Sequence, residues 1–115
     1  MRSHKDLDVW RVAMDLAEQI YEVTRGFPRE EQFGLSAQLR RAAVSIPSNI
    51  AEGAARQGQK EFAQFLYFSL GSASEVETQL EIAGELNYIN VGDKEKILEE
   101  LDYEGRMLRK LAKAL

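Results

Sequence analysis

Cysteine is absent from this sequence, and histidine occurs once, at His4. The first absence excludes disulfides, thiolate nucleophiles and Cys-ligated zinc together. The second leaves no multi-histidine metal site and no Ser-His-acid arrangement beyond a residue next to the chain end. The Glu-x-x-His pairs of di-metal bundles are missing too, as is a glycine-rich phosphate loop. No stretch approaches 18 uncharged apolar residues, and the opening MRSHKDLDVW lacks the apolar centre of a signal peptide. The expectations are therefore a soluble cytoplasmic protein with no membrane association, no catalytic residues, no metal ligands, no cofactor and no enzymatic activity.

What remains is helix-forming material. The 115 residues, 44% hydrophobic and 30% charged with only two prolines, suit a single domain over residues 1–115. A domain of that length buries about two-thirds of its unfolded surface unaided. Net charge is −4, against indiscriminate binding to nucleic acid or anionic membrane. The charge is uneven, however. Residues 24–60 hold Arg25, Arg29, Arg40, Arg41, Arg56 and Lys60 against Glu30, Glu31 and Glu52, which makes this third the only net-positive one.

Apolar periodicity near 100° per residue predicts four helices. The first covers about 6–25, with Val9, Ala13, Leu16, Ile20 and Val23 on one stripe and Trp10, Met14, Ala17 and Tyr21 on a second. Gly26 and Pro28 end it. The second covers about 30–56, its first-turn acids complementing the helix dipole, with Leu35, Leu39, Ala42, Ala43, Ile46, Ile50 and Gly53 inward. Pro47 lacks the N–H that would bond Ala43, so this helix is expected to continue with a kink. The third, about 59–87, contains Phe65-Leu66-Tyr67-Phe68-Ser69-Leu70, which is apolar all round; the fourth follows with Asp93 as N-cap. With no strand alternation and short connections, the fold class is all-α, an antiparallel up-down-up-down four-helix bundle. Apolar residues exceed what one bundle hides. The excess points to a homo-oligomer, with Trp10, Tyr67 and Phe68 as candidate interface residues and Ala37, Val44 and Ala51 as a small face beside them.

The segment 31–56, EQFGLSAQLRRAAVSIPSNIAEGAAR, resembles the signature of the 23S rRNA-intervening-sequence protein family, and the layout on either side is similar across nearly the whole chain. That resemblance implies a four-helix protomer assembled into a ring-like homopentamer. It also implies kinship with the accessory protein of diversity-generating retroelements, a similar but basic bundle that contacts a reverse transcriptase and nucleic acid. On this footing the chain is expected to be a non-enzymatic assembly associating with RNA or a reverse-transcriptase-like partner; the alternative is a structural or protein-partner scaffold.

Two sets of polar residues compete for roles. Arg40, Arg41, Arg56 and Lys60 are the candidate nucleic-acid contacts, since phosphate recognition needs converging cations. Their structural reading is ordinary ion pairing, with Glu52 and Arg56 at i,i+4 spacing, or a bridge between subunits. Ser45, Ser48, Asn49 and Glu52 form a candidate polar cluster beside Pro47, best read as serving backbone groups that proline leaves unbonded. Glu75, Glu77, Glu81 and Glu85 read as a solvated face.

Overall fold

A computed structural model describes residues 3–115. Its helices are α1 (Asp8–Thr24), α2 (Leu35–Ala54), α3 (Gln59–Glu85) and α4 (Val91–Lys113), with single 3-10 turns at His4–Asp6 and Arg29–Glu31. No strand occurs among the described residues. Helices adjacent in sequence are adjacent in space, α2 against α3 most extensively, and α4 closes back on α1. One core fills the interior, from Val9, Ala13, Leu16 and Ile20 through Leu39, Ile46 and Ile50 to Leu66, Val76, Leu80, Ile97, Leu101 and Leu108. On α1 and α2 these are the inward stripes that periodicity assigns, and Leu66 is the residue of the all-round apolar belt that turns inward.

The helix ends differ from the sequence reading in two places, each for a local reason. Residues 30–34 do not belong to α2, because Pro28 starts a tight turn and Gly34 adopts φ −108° and ψ −114°, outside the helical region. The acid of the first turn acts instead from that preceding turn: Glu31 Oε1 accepts the Leu35 N–H at 3.0 Å. α1 stops at Thr24, ahead of Gly26 and Pro28 as the sequence predicts, and among the described residues the left-handed conformation belongs to Asn87 alone at φ 61°. There the Tyr88 N–H reaches Ala83 O and the Asn87 N–H reaches Gly84 O, closing α3 in a Schellman motif. Asn90 rather than Asp93 caps α4, since its side chain accepts the Asp93 N–H at 2.7 Å.

Through Pro47 the helix α2 runs without interruption. Close packing beyond it is set by Gly53, where an added Cβ would stand 2.6 Å from the Phe65 Cβ and 3.3 Å from the Phe62 carbonyl oxygen. Glycine is thus required for α2 and α3 to approach at this level.

Candidate interaction surfaces

Helix α2 separates two faces of different character. Toward α1 it leaves an open groove of about 620 Å³ whose apolar lining comes from Trp10, Met14, Tyr21, Val44, Pro47 and Ala51. Val44 is 41% exposed and Met14 38%, so this is a face that folding of one chain leaves uncovered. Glu18, Glu22, Arg25 and Ser48 complete its rim. The second stripe of α1 and two residues of the small face of α2, Val44 and Ala51, separate in sequence, become one surface here, while Ala37 lies outside it.

On α3 the apolar belt divides. Leu66 is buried, Leu70 and Phe65 are half-buried, and Tyr67 and Phe68 are each 47% exposed. Phe65 and Phe68 meet edge to face at 5.4 Å, which holds Phe68 in place against the surface. α1 and α3 do not pack on one another, with α2 standing between them, so the groove and the belt occupy different sides of the bundle.

The polar cluster beside Pro47 is rearranged relative to the sequence reading. Asn49 Nδ2 donates to the Ser45 carbonyl at 2.8 Å and to Ser45 Oγ at 2.9 Å, and Ser45 Oγ lies 2.8 Å from Ser72 Oγ of α3. Ser69 Oγ donates to the Ile46 carbonyl at 2.9 Å. The buried seam thus draws two serines from α3, which spacing on α2 alone did not reveal. Ser48 faces the α1 groove, and Glu52 points outward to pair with Arg56 at 3.0 Å. Hydrogen-bonded in this way, the cluster fixes the register of α2 on α3, and its own atoms satisfy one another.

The four candidate cations do not converge. Arg40 is bound to α1: its Nε donates to Thr24 Oγ1 at 2.8 Å, its Nη2 reaches Tyr21 O at 3.4 Å, and its guanidinium stacks 4.7 Å over the Tyr21 ring. This holds the C-terminal end of α1, where a cation also meets the helix dipole favourably. Arg56 pairs with Glu52 and lies 3.9 Å from Glu61, with its guanidinium 5.0 Å over Phe65. Arg41 and Lys60 are exposed and make no ion pair among the described residues. Arg41 opens onto a polar cleft of about 390 Å³ with Gln38, Ser45, Glu75 and Gln79. Thirteen helical residues from Arg41 to Ala54 span about 20 Å, so the two free cations sit toward opposite ends of the α2–α3 face. Glu75, Glu77, Glu81 and Glu85 are all exposed, and Glu81 pairs with Lys94 at 3.1 Å.

Among the described residues no three His, Cys, Asp or Glu side chains are grouped to hold a metal ion, and no helix is long and apolar enough to cross a membrane.

The sequence profile of the 23S rRNA-intervening sequence protein family matches residues 5–110. A solved structure from Bacteroides thetaiotaomicron, a protein with unknown function from the S23 ribosomal protein family, superposes with a TM-score of 0.82 at 26% identity. The match covers 91% of this chain and 98% of that one. Among curated proteins, none matches by sequence.

Proposed function

Because the chain belongs to the 23S rRNA-intervening sequence protein family, we propose that it is a non-enzymatic scaffold that works as a ring of identical protomers. The observation that carries this reading is the exposed apolar groove between α1 and α2. It is supported by the exposed Tyr67 and Phe68 on another side of the bundle. Two unlike patches joined head to tail generate a closed ring or an open filament, whereas a single self-complementary patch gives a dimer. In this arrangement the belt of one protomer covers the groove of the next, and five copies complete the ring. The helices run up, down, up and down, and α2 bends at Pro47 so that Val44 and Ala51 follow the curvature of the neighbour.

Nucleic acid is the second reading, favoured by the two uncommitted cations. Arg41 and Lys60 repeated around a ring would make a discontinuous basic rim, and an RNA or a reverse-transcriptase-like partner carrying RNA would meet it. Their separation and the net charge of −4 make this weaker than self-assembly as an account of the surface.

Sedimentation equilibrium of wild type, Val44→Asp and Phe68→Asp separates the readings when paired with an electrophoretic shift of structured RNA at two salt concentrations. The scaffold reading expects assembly that either substitution abolishes while helical circular dichroism persists. A wild-type monomer at micromolar concentration would overturn it. RNA retarded by wild type and not by an Arg41→Gln, Lys60→Gln variant would promote the second reading.

A further inference from the structure

Glu104 is the one ionisable side chain among the described residues over which the bundle closes completely, at 0% exposure. Neither Oε1 nor Oε2 has a hydrogen-bond partner. It occupies a position that periodicity would give to leucine, in phase with Ile97, Leu101 and Leu108. Its neighbours fix which way it points. Gly105 turns toward α3, where a Cβ would meet Leu70 Cδ2 at 3.6 Å. Glu100, one turn earlier on the same side as Glu104, reaches α1 and accepts a hydrogen bond from Gln19. Glu104 therefore lies under the seam between α4 and α1. That seam is flanked by two open clefts, of about 600 Å³ between Val9, Met107 and Leu111 and about 450 Å³ between Val12 and Glu100, with Tyr103 lining both.

A carboxylate left in a core without donors or a counter-charge is strongly disfavoured, so closure of this seam requires the neutral acid. We propose that Glu104 is a proton-dependent latch on the α1–α4 seam: with its proton the seam closes, and loss of the proton loosens α4 from α1. Burial alone pushes the Glu104 carboxyl up to about 8, with no neighbouring charge contributing. The charged groups on the flanking helices, Asp8, Arg11 and Asp15 of α1 and Glu75 and Glu77 of α3, are exposed, as is Tyr103. On α4, Glu100 is engaged by Gln19, and Asp102 pairs with Arg106 at 3.3 Å. None of these can stabilise an ionised Glu104 in the closed seam.

A folded-state pKa above the unfolded one means that the native chain holds a proton which the unfolded chain releases. The stability that Glu104 contributes is complete below the ordinary carboxylate value of 4.5 and is lost as pH rises through about 8. His4, the one histidine of the sequence, meets the Trp10 ring edge to face at 5.1 Å near the same seam, so His4→Gln is the control.

The experiment is urea denaturation of the full chain from pH 5.5 to 8.5 at fixed protomer concentration, for wild type, His4→Gln and Glu104→Gln. The wild-type folding equilibrium constant is expected to fall relative to Glu104→Gln by about a hundred-fold or more across this range. His4→Gln should follow wild type. Amide exchange at pH 8.5, corrected for intrinsic rates, should show protection lost first in α4 and the facing turns of α1. Parallel pH profiles for wild type and Glu104→Gln would overturn the proposal. Should the Gln variant fail to fold, a carbon-13 titration of the Glu104 carboxyl in wild type decides: a midpoint near 8 sustains the latch, and one in the ordinary carboxylate range refutes it.

Discussion

Gly53→Ala probes the closest approach that α3 makes to a glycine of α2. The methyl would stand 2.6 Å from Phe65 Cβ, 3.1 Å from Phe62 Cδ1 and 3.3 Å from Phe62 O. Two of these three atoms cannot rotate away, since a Cβ and a carbonyl oxygen move only with the backbone of α3. Relief requires α2 and α3 to separate, and that strains the Ser45–Ser72 and Ser69–Ile46 hydrogen bonds further along the same seam. Overpacking of this kind costs about 1–3 kcal/mol. Alanine recovers part of it, because glycine inside a helix is worth about 1 kcal/mol less, and less again one residue from the end of α2. The net expectation is a loss of about 1–2 kcal/mol. In urea, with a slope of about 1–3 kcal/mol/M, the midpoint should drop by roughly 0.3–2 M. Wild type and variant must be compared at equal protomer concentration, because assembly adds to apparent stability. An unchanged or higher midpoint would show that the glycine is not there for close approach, and the account of the α2–α3 seam would be wrong.

Other substitutions test other elements. Pro47→Ala restores an N–H toward Ala43 O in a helix that is already continuous, so the protomer should be equally or more stable by urea denaturation. A loss of more than about 1 kcal/mol would instead mark the proline as a packing element. Arg40→Ala should destabilise by about 1 kcal/mol through the lost Thr24 and Tyr21 contacts while leaving any RNA retardation unchanged; weaker RNA binding by a folded variant would contradict its structural assignment. If RNA binds at all, Arg41→Gln and Lys60→Gln should each lower the log–log salt slope by about 0.7–0.9 per cation that contacts phosphate, and an unaltered slope would remove that residue from the interface.

Helix number and core were legible in the sequence because burial in a bundle is written in the 3.6-residue period. Leu16, Leu39, Ile46 and Ile50 sit where that period puts them. Helix ends were harder, since they turn on which of several competent caps captures an N–H. Asn90 and Asp93 are both good caps, and three residues of loop geometry chose the former. The polar seam was half visible. Ser45 and Asn49 share a face, but their partners Ser69 and Ser72 come from α3, and pairing across helices leaves no mark in local spacing. Arg40 illustrates the same limit from the other side, because its partner Thr24 is sixteen residues away on another helix. Glu104 was readable and is the instructive miss. Its phase with Leu101 and Leu108 marks it as inward, and a charged residue at an inward position is a signal in its own right.

The central claim is that the groove between α1 and α2 is covered by another copy of the chain. Trp10, the single tryptophan, lines that groove and is half-buried in the protomer, so it reports on the cover directly. The most direct test is light scattering of wild type across a dilution series, with Trp10 emission recorded on the same samples. The account predicts a mass of about five times the 13.1 kDa protomer at high concentration and a red shift of the emission as the mass falls. A constant protomer mass with concentration-independent emission would contradict it.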